Sequence, residues 1–156
     1  MKVHEIMTTA PETCGPETNL AAAVERMWRA DCGALPVMTA EAALVGIITD
    51  RDMCIALGTR NQPASAIPVA SVMTRDVATC RTDEEVDAAL ARMTERRVRR
   101  LPVVDDAATL VGVLSLDDIV LASGAKAVKP AAVLQALKKI CAPKLPVVRV
   151  GRADAA

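Results

Sequence analysis

The chain repeats itself, and a repeat fixes the folding unit before any local pattern is read. Displacing the sequence by 66 residues lays Met7-Thr8 on Met73-Thr74 and Thr13-Cys14 on Thr79-Cys80. The same displacement lays Leu35-Pro36-Val37 on Leu101-Pro102-Val103 and Leu44-Val45-Gly46 on Leu110-Val111-Gly112. No gap is needed from residue 6 to 58, and 18 of those 53 positions are identical. Whatever the first copy folds into, the second must fold into as well.

Each copy reads as strand–helix–strand–strand–helix. Residues 12–14 and 77–80 are short extended pieces. Leu20, Ala23, Val24 and Met27 recur at the spacing of a helix with one buried stripe, and Val86, Ala89, Leu90 and Met93 repeat it. Thr82-Asp83-Glu84-Glu85 has the pattern of a capping box ahead of the second of these helices. Two apolar runs of strand length follow in each copy, residues 34–38 and 43–49, then 101–104 and 110–115. A short helix closes each unit at 50–57 and 116–123, with Gly58 placed to stop the first. Residues 59–70, with Pro63 and Pro68, read as a linker. Pro130 suits a first helical position. From there Val133, Leu134, Leu137, Ile140 and Cys141 form an apolar stripe that Pro143 ends, and residues 145–150 could form a strand. The expected division is therefore copy one at 1–58, linker at 59–70, copy two at 71–124, and a basic helix and tail at 125–156.

Composition narrows the function. At 156 residues and 52% apolar content the chain can bury a core and is not of the disordered class. Its longest apolar run, residues 42–48, is far short of the roughly 20 residues of a membrane span. The first residues lack a signal-peptide pattern, so a cytoplasmic location is expected and no membrane partner. Phe and Tyr are absent and Trp28 is the one aromatic ring, which leaves no stacking platform and makes nucleic acid an unlikely partner. His4 is the one histidine, which disfavours histidine acid–base catalysis. Alanine, at 29 residues, favours closely packed helices. The 19 basic and 19 acidic side chains cancel in sum but not in place. Both copies are acidic, whereas residues 125–156 carry seven bases against Asp154 alone.

The strongest local signal is Gly46-Ile47-Ile48-Thr49-Asp50-Arg51-Asp52, echoed by Gly112-Val113-Leu114-Ser115-Leu116-Asp117-Asp118. A strand ends in a hydroxyl residue, and a carboxylate follows three positions on. One reading is a helix cap, in which the hydroxyl accepts a backbone N–H and the acid favours the helix N-terminus. The other is a ligand site. There the carboxylate chelates the two hydroxyls of a ribose while the hydroxyl and free N–H groups face a phosphate. Glycine three residues earlier would let a flat ligand approach the strand.

The Gly-x-x-Thr/Ser-x-x-Asp motif, complete in both copies, together with Leu-Pro-Val and Leu-Val-Gly at matched offsets, resembles the cystathionine-β-synthase (CBS) domain. Residues 1–124 look like a two-repeat CBS pair, or Bateman module. Val98-Arg99-Arg100-Leu101-Pro102-Val103 and Lys139-Ile140-Cys141-Ala142-Pro143 resemble stand-alone bacterial CBS-pair proteins of the hypoxic-response type. The resemblance implies an α+β fold of two β-α-β-β-α repeats packed about a pseudo-twofold axis. It further implies regulation rather than catalysis, with AMP, ATP, NAD or S-adenosylmethionine bound in clefts between repeats and no cofactor or metal required. By position, Ser115 and Asp118 would hold one ribose, with adenine against Thr8, Ala10 and Glu12 and against Cys32 and Gly33. Thr49 and Asp52 would hold the other, against Thr74, Asp76 and Ala78 and against Val98 and Arg99. Arg99 and Arg100 match phosphate-contacting positions, and arginine's planar fork suits that task. The first copy has Gly33 and Ala34 there, so unequal clefts are expected.

Arg96 and Arg97, at a helix end, read as a solvated face favoured by the helix dipole. Five cysteines without a Cys-x-x-Cys pair read as reduced, mostly packing thiols, with a disulfide from Cys14 or Cys32 as the alternative. Trp28 is either a partly covered core ring or the anchor of a homodimer. The basic tail could dock a protein partner. A nucleotide-independent stress or interaction protein and a cysteine-based redox or metal sensor are the rival functions, and no nucleophile–base pair suggests an enzyme.

Overall fold

The computed structural model describes residues 1–124 and 128–143. The first copy contributes β1 (Thr8–Thr9), α1 (Leu20–Arg29), β2 (Ala34–Met38), β3 (Leu44–Thr49) and α2 (Asp50–Arg60). The second contributes β4 (Cys80–Arg81), α3 (Val86–Arg96), β5 (Arg100–Val104), β6 (Leu110–Ser115) and α4 (Leu116–Ala122), and α5 (Pro130–Cys141) follows. β2–β3 and β5–β6 are antiparallel hairpins in one register, pairing Leu35 with Ile48 and Leu101 with Leu114. The hairpin turns match in detail, each holding an alanine, Ala42 or Ala108, at φ 62°.

The copies are locked by an exchange. β1 pairs antiparallel with β6, Thr8 opposite Val113, while Thr74 bridges Ile47. The 66-residue shift turns either pairing into the other. It likewise exchanges the bridges Lys2–Glu85 and Asn19–Pro68. Val3 and Val69 are equivalent positions and fully buried, Val3 in the second copy's core and Val69 in the first's. These reciprocal crossings define the pseudo-twofold relation.

The crossings also explain two glycines. A Cβ on Gly46 would lie 2.5 Å from Met73 Sδ and 3.1 Å from the Thr74 carbonyl oxygen. On Gly112 it would lie 2.7 Å from Met7 Sδ and 2.9 Å from the Thr8 carbonyl oxygen. Glycine is therefore needed to admit the other copy's strand segment. That corrects the expectation of a flat ligand at this place.

Several local expectations need revision. α2 runs through Gly58 to Arg60 and ends at Asn61, which takes the left-handed conformation at φ 48°. Thr82–Glu85 forms no capping box: Glu85 is the N-cap and its side chain caps nothing. The Val86 N–H instead donates to the Met1 carbonyl, and Glu84 accepts from the Arg81 N–H and from Arg92 Nη1. Residues 12–14 form no strand, only one parallel bridge from Cys14 to Val37. Val24 and Leu134 stand exposed, outside the stripes assigned to them. Residues 59–70 are an ordered connection of two 3₁₀ turns that buries Ile67 and Val69. α5 begins at Pro130 as expected. The possible strand at 145–150 lies outside the described residues, as do Lys126, Lys144, Arg149, Arg152 and Asp154 of the basic tail. Among the described residues no helix is long and apolar enough to cross a membrane.

Candidate functional site

Both motifs form reciprocal caps. The Asp52 N–H donates to Thr49 Oγ1 at 3.3 Å, while the Thr49 N–H and hydroxyl donate to Asp52 Oδ2 at 3.0 and 2.6 Å. In the second copy the Asp118 N–H donates to Ser115 Oγ at 3.1 Å. The Ser115 N–H and hydroxyl donate to Asp118 Oδ2, each at 2.7 Å. Such caps fix backbone and carboxylate together. All four residues are half-buried. Oδ2 is engaged in each cap; among the described residues Oδ1 of Asp52 and Asp118 accepts no hydrogen bond.

The exchange sets a segment of the other copy beside each cap. Thr8 lies beside the strand that ends at Ser115, and Thr74 beside the strand that ends at Thr49. Ala10 follows β1 in the left-handed conformation at φ 46°, and it and Glu12 are exposed. Arg100 pairs with Ser115 across the β5–β6 hairpin, whereas Ala34 holds the same place opposite Thr49. A side chain at position 33 would meet Arg100: a Cβ there would lie 3.2 Å from Arg100 Nη2 and 3.1 Å from Asp50 Oδ2. Gly33 is thus the opening that the Arg100 guanidinium approaches from the second copy. Its carbonyl accepts the Asp50 N–H, as the Arg99 carbonyl accepts that of Leu116.

Other expected site residues are occupied elsewhere. Asp76 is ion-paired with Arg96. The Arg99 side chain points to Cys141 Sγ at 3.6 Å. Ala78 and Val98 pack against the second core, and Cys32 against the first. Arg96 and Arg97 are more than a solvated face. Arg97 is the left-handed cap of α3 at φ 53° and donates to the Ala142 carbonyl beyond α5.

A groove of about 680 Å³ runs between α1 and α2 of the first copy, and Cys32, Gly33 and Arg100 lie on its wall. Asp31 and Asp50 line it too, and neither was singled out from the sequence. A signal for them existed, since the repeat places Arg97 and Leu116 at the corresponding positions of the second copy.

All five cysteines are free. Cys14 and Cys80 are buried, and burial pushes their thiols up to about 11 and about 12. Cys54 and Cys141 are exposed, against the expectation that they pack. Among the described residues no three His, Cys, Asp or Glu side chains gather as metal ligands.

The CBS domain family matches residues 3–59 and 69–125. Inosine-5'-monophosphate dehydrogenase of Methanocaldococcus jannaschii is 36% identical over 118 residues, 76% of this chain. The chain spans only 23% of that enzyme's length, so the likeness carries no evidence of its activity. The CBS domain pair of protein MJ0100, in complex with 5'-methylthioadenosine and S-adenosyl-L-methionine, superposes with TM-score 0.71 at 29% identity, over 78% of this chain and 94% of that one. Hypoxic Response Protein I with two coordinated zinc ions gives 0.70 at 26%, over 78% and 98%. CBSX2 in complex with AMP gives 0.68 at 26%, over 78% and 94%. With both repeats matched and the shared fold extending across them, the chain belongs to the CBS domain family, as a pair of CBS repeats.

Proposed function

We propose that this CBS pair is a non-catalytic regulatory module that binds adenine nucleotides or adenosyl compounds in the clefts between its repeats. Asp118 and Ser115 hold the ribose of one ligand beside Thr8–Thr9, with Arg100 at Gly33 as the cation for its phosphate. Asp52 and Thr49 hold the other beside Thr74, where Ala34 supplies no charge. The observation that carries the reading is the half-buried cap whose Oδ2 is fixed and whose Oδ1 is left to accept, set at each crossing of the two copies. A carboxylate so placed can accept from a ribose hydroxyl, and an acceptor already fixed by its cap costs little reorganisation on binding. The adenosyl compounds and AMP bound by MJ0100 and CBSX2 support the ligand class.

A homodimer in the cytoplasm fits the same reading, and five free thiols suit a reducing compartment. The basic tail is a candidate dock for a protein partner. A thermal-shift panel of AMP, ADP, ATP, NAD and S-adenosylmethionine tests the ligand class. A ligand at 100 times its Kd should add about 2.7 kcal/mol to stability. The reading expects an upward shift with at least one compound and a smaller one in Asp118→Asn. A flat panel would support the nucleotide-independent interaction module, for which the exposed Trp28 speaks.

A further inference from the structure

At Gly33 the two copies set opposite charges over an empty side-chain position. A Cβ there would lie 3.1 Å from Asp50 Oδ2 of the first copy and 3.2 Å from Arg100 Nη2 of the second. Carboxylate and guanidinium thus face each other across the volume of one methyl group. They form no ion pair with each other, and among the described residues neither forms one elsewhere. Asp50 is held locally: its Oδ1 accepts the Arg51 N–H at 2.7 Å in the first turn of α2. Asp31, left-handed at φ 48° after α1, lines the same groove. Among the described residues lining it, Arg100 is the one cation, so two acids meet a single base. The repeat places Arg97 and Leu116 where the first copy has Asp31 and Asp50, so both acids belong to one copy.

We propose that Asp50 sets the number of phosphates accepted at this corner, admitting a nucleoside monophosphate and turning away the triphosphate. This rests on the nucleotide binding proposed above, with Arg100 as the phosphate cation, and names the phosphate count. A guanidinium has five N–H donors, enough to serve the Asp50 carboxylate and one phosphate together. Each further phosphate brings negative charge to Asp50 and Asp31 with no second cation lining the groove. The opposed groups lie well inside the Debye length of about 8 Å at physiological ionic strength, so that repulsion is little screened. Unpaired like charge is an effective means of rejecting a ligand that shares the same nucleoside.

Calorimetric titration of adenosine, AMP and magnesium-free ATP into the parent chain, Asp50→Asn and Asp87→Asn tests this. Asp50 and Asp87 are both exposed, so each change removes one charge without opening the core, which circular dichroism checks. The parent should bind AMP at least about tenfold more tightly than ATP, and Asp50→Asn should narrow that ratio at least about fivefold. Adenosine carries no charge, so its affinity should be the same in both. Asp87→Asn, on α3, should keep the parent ratio. In the parent, raising the salt concentration should narrow the ratio as well. A parent that binds ATP as tightly as AMP overturns the proposal, as does a ratio unmoved in Asp50→Asn or widened by salt. An equal change in Asp87→Asn overturns it in favour of net charge, and a lower adenosine affinity in Asp50→Asn overturns it in favour of a structural role. A parent that binds none of the three overturns the nucleotide reading itself, whereas AMP binding with an unmoved ratio removes the role of Asp50 alone.

Discussion

At the scale of single residues, the Thr/Ser-x-x-Asp spacing was legible because a cap is local. A hydroxyl at the N-cap and a carboxylate three residues on meet through the geometry of one helical turn. What stands across from the cap was not legible, because Thr8 and Thr74 arrive from the other copy. The thiols give a sharper residue-scale prediction. Cys14 and Cys80 should resist a thiol reagent in the folded protein and react only on unfolding, while the exposed Cys54 and Cys141 react at once. Burial raises both buried thiols, so the folded state holds their protons past the ordinary value of 9.0 to about 11 and 12. Between those limits the unfolded chain binds fewer protons than the folded one. This contribution to stability is therefore full below about pH 9 and lost as pH rises toward 11–12. Urea midpoints measured from pH 8 to 11 should fall, and less steeply in Cys80→Ala. An unchanged slope in that variant would count against the assignment.

At the scale of elements, long periodic pieces were readable and short crossing ones were not. α1 and α3 follow from the 3.6-residue pattern and the two hairpins from paired apolar runs of strand length, and their turns repeat in both copies. β1 has two residues, too few for any period, and Thr74 enters only as a single bridge. Val24 satisfied the helix period yet is exposed, because periodicity marks an apolar face without saying whether the chain covers it. The Gly46 and Gly112 contacts test the exchange directly. Gly112→Ala drives a methyl into Met7 Sδ and the Thr8 carbonyl, and Gly46→Ala into Met73 Sδ and the Thr74 carbonyl. Each should cost about 1–3 kcal/mol, as overpacking typically does. Amide exchange at Ile47 and Thr74 should speed up in Gly46→Ala, since these residues exchange N–H···O bonds at 2.9 Å. Unchanged protection there would mean the crossing does not depend on the glycine.

At the scale of the whole molecule, the duplication determines both symmetry and its breaking. The crossings are reciprocal and the caps are paired, but Arg100 against Ala34, and α5, which among the described residues covers only the second copy's helices, make the halves unequal. Ligand affinities should be unequal in the same sense, with the phosphate-bearing ligand favouring the Ser115–Asp118 side where Arg100 lies. Calorimetric titration of AMP into the parent chain, Asp52→Asn and Asp118→Asn is the most direct measurement. Asparagine keeps an acceptor for the cap and removes the charge, so the folded state should persist. The account predicts binding to the parent and at least tenfold weaker binding, about 1.4 kcal/mol, at the tighter site in Asp118→Asn. Asp52→Asn should leave that site intact. Equal affinity and stoichiometry in all three proteins would contradict it.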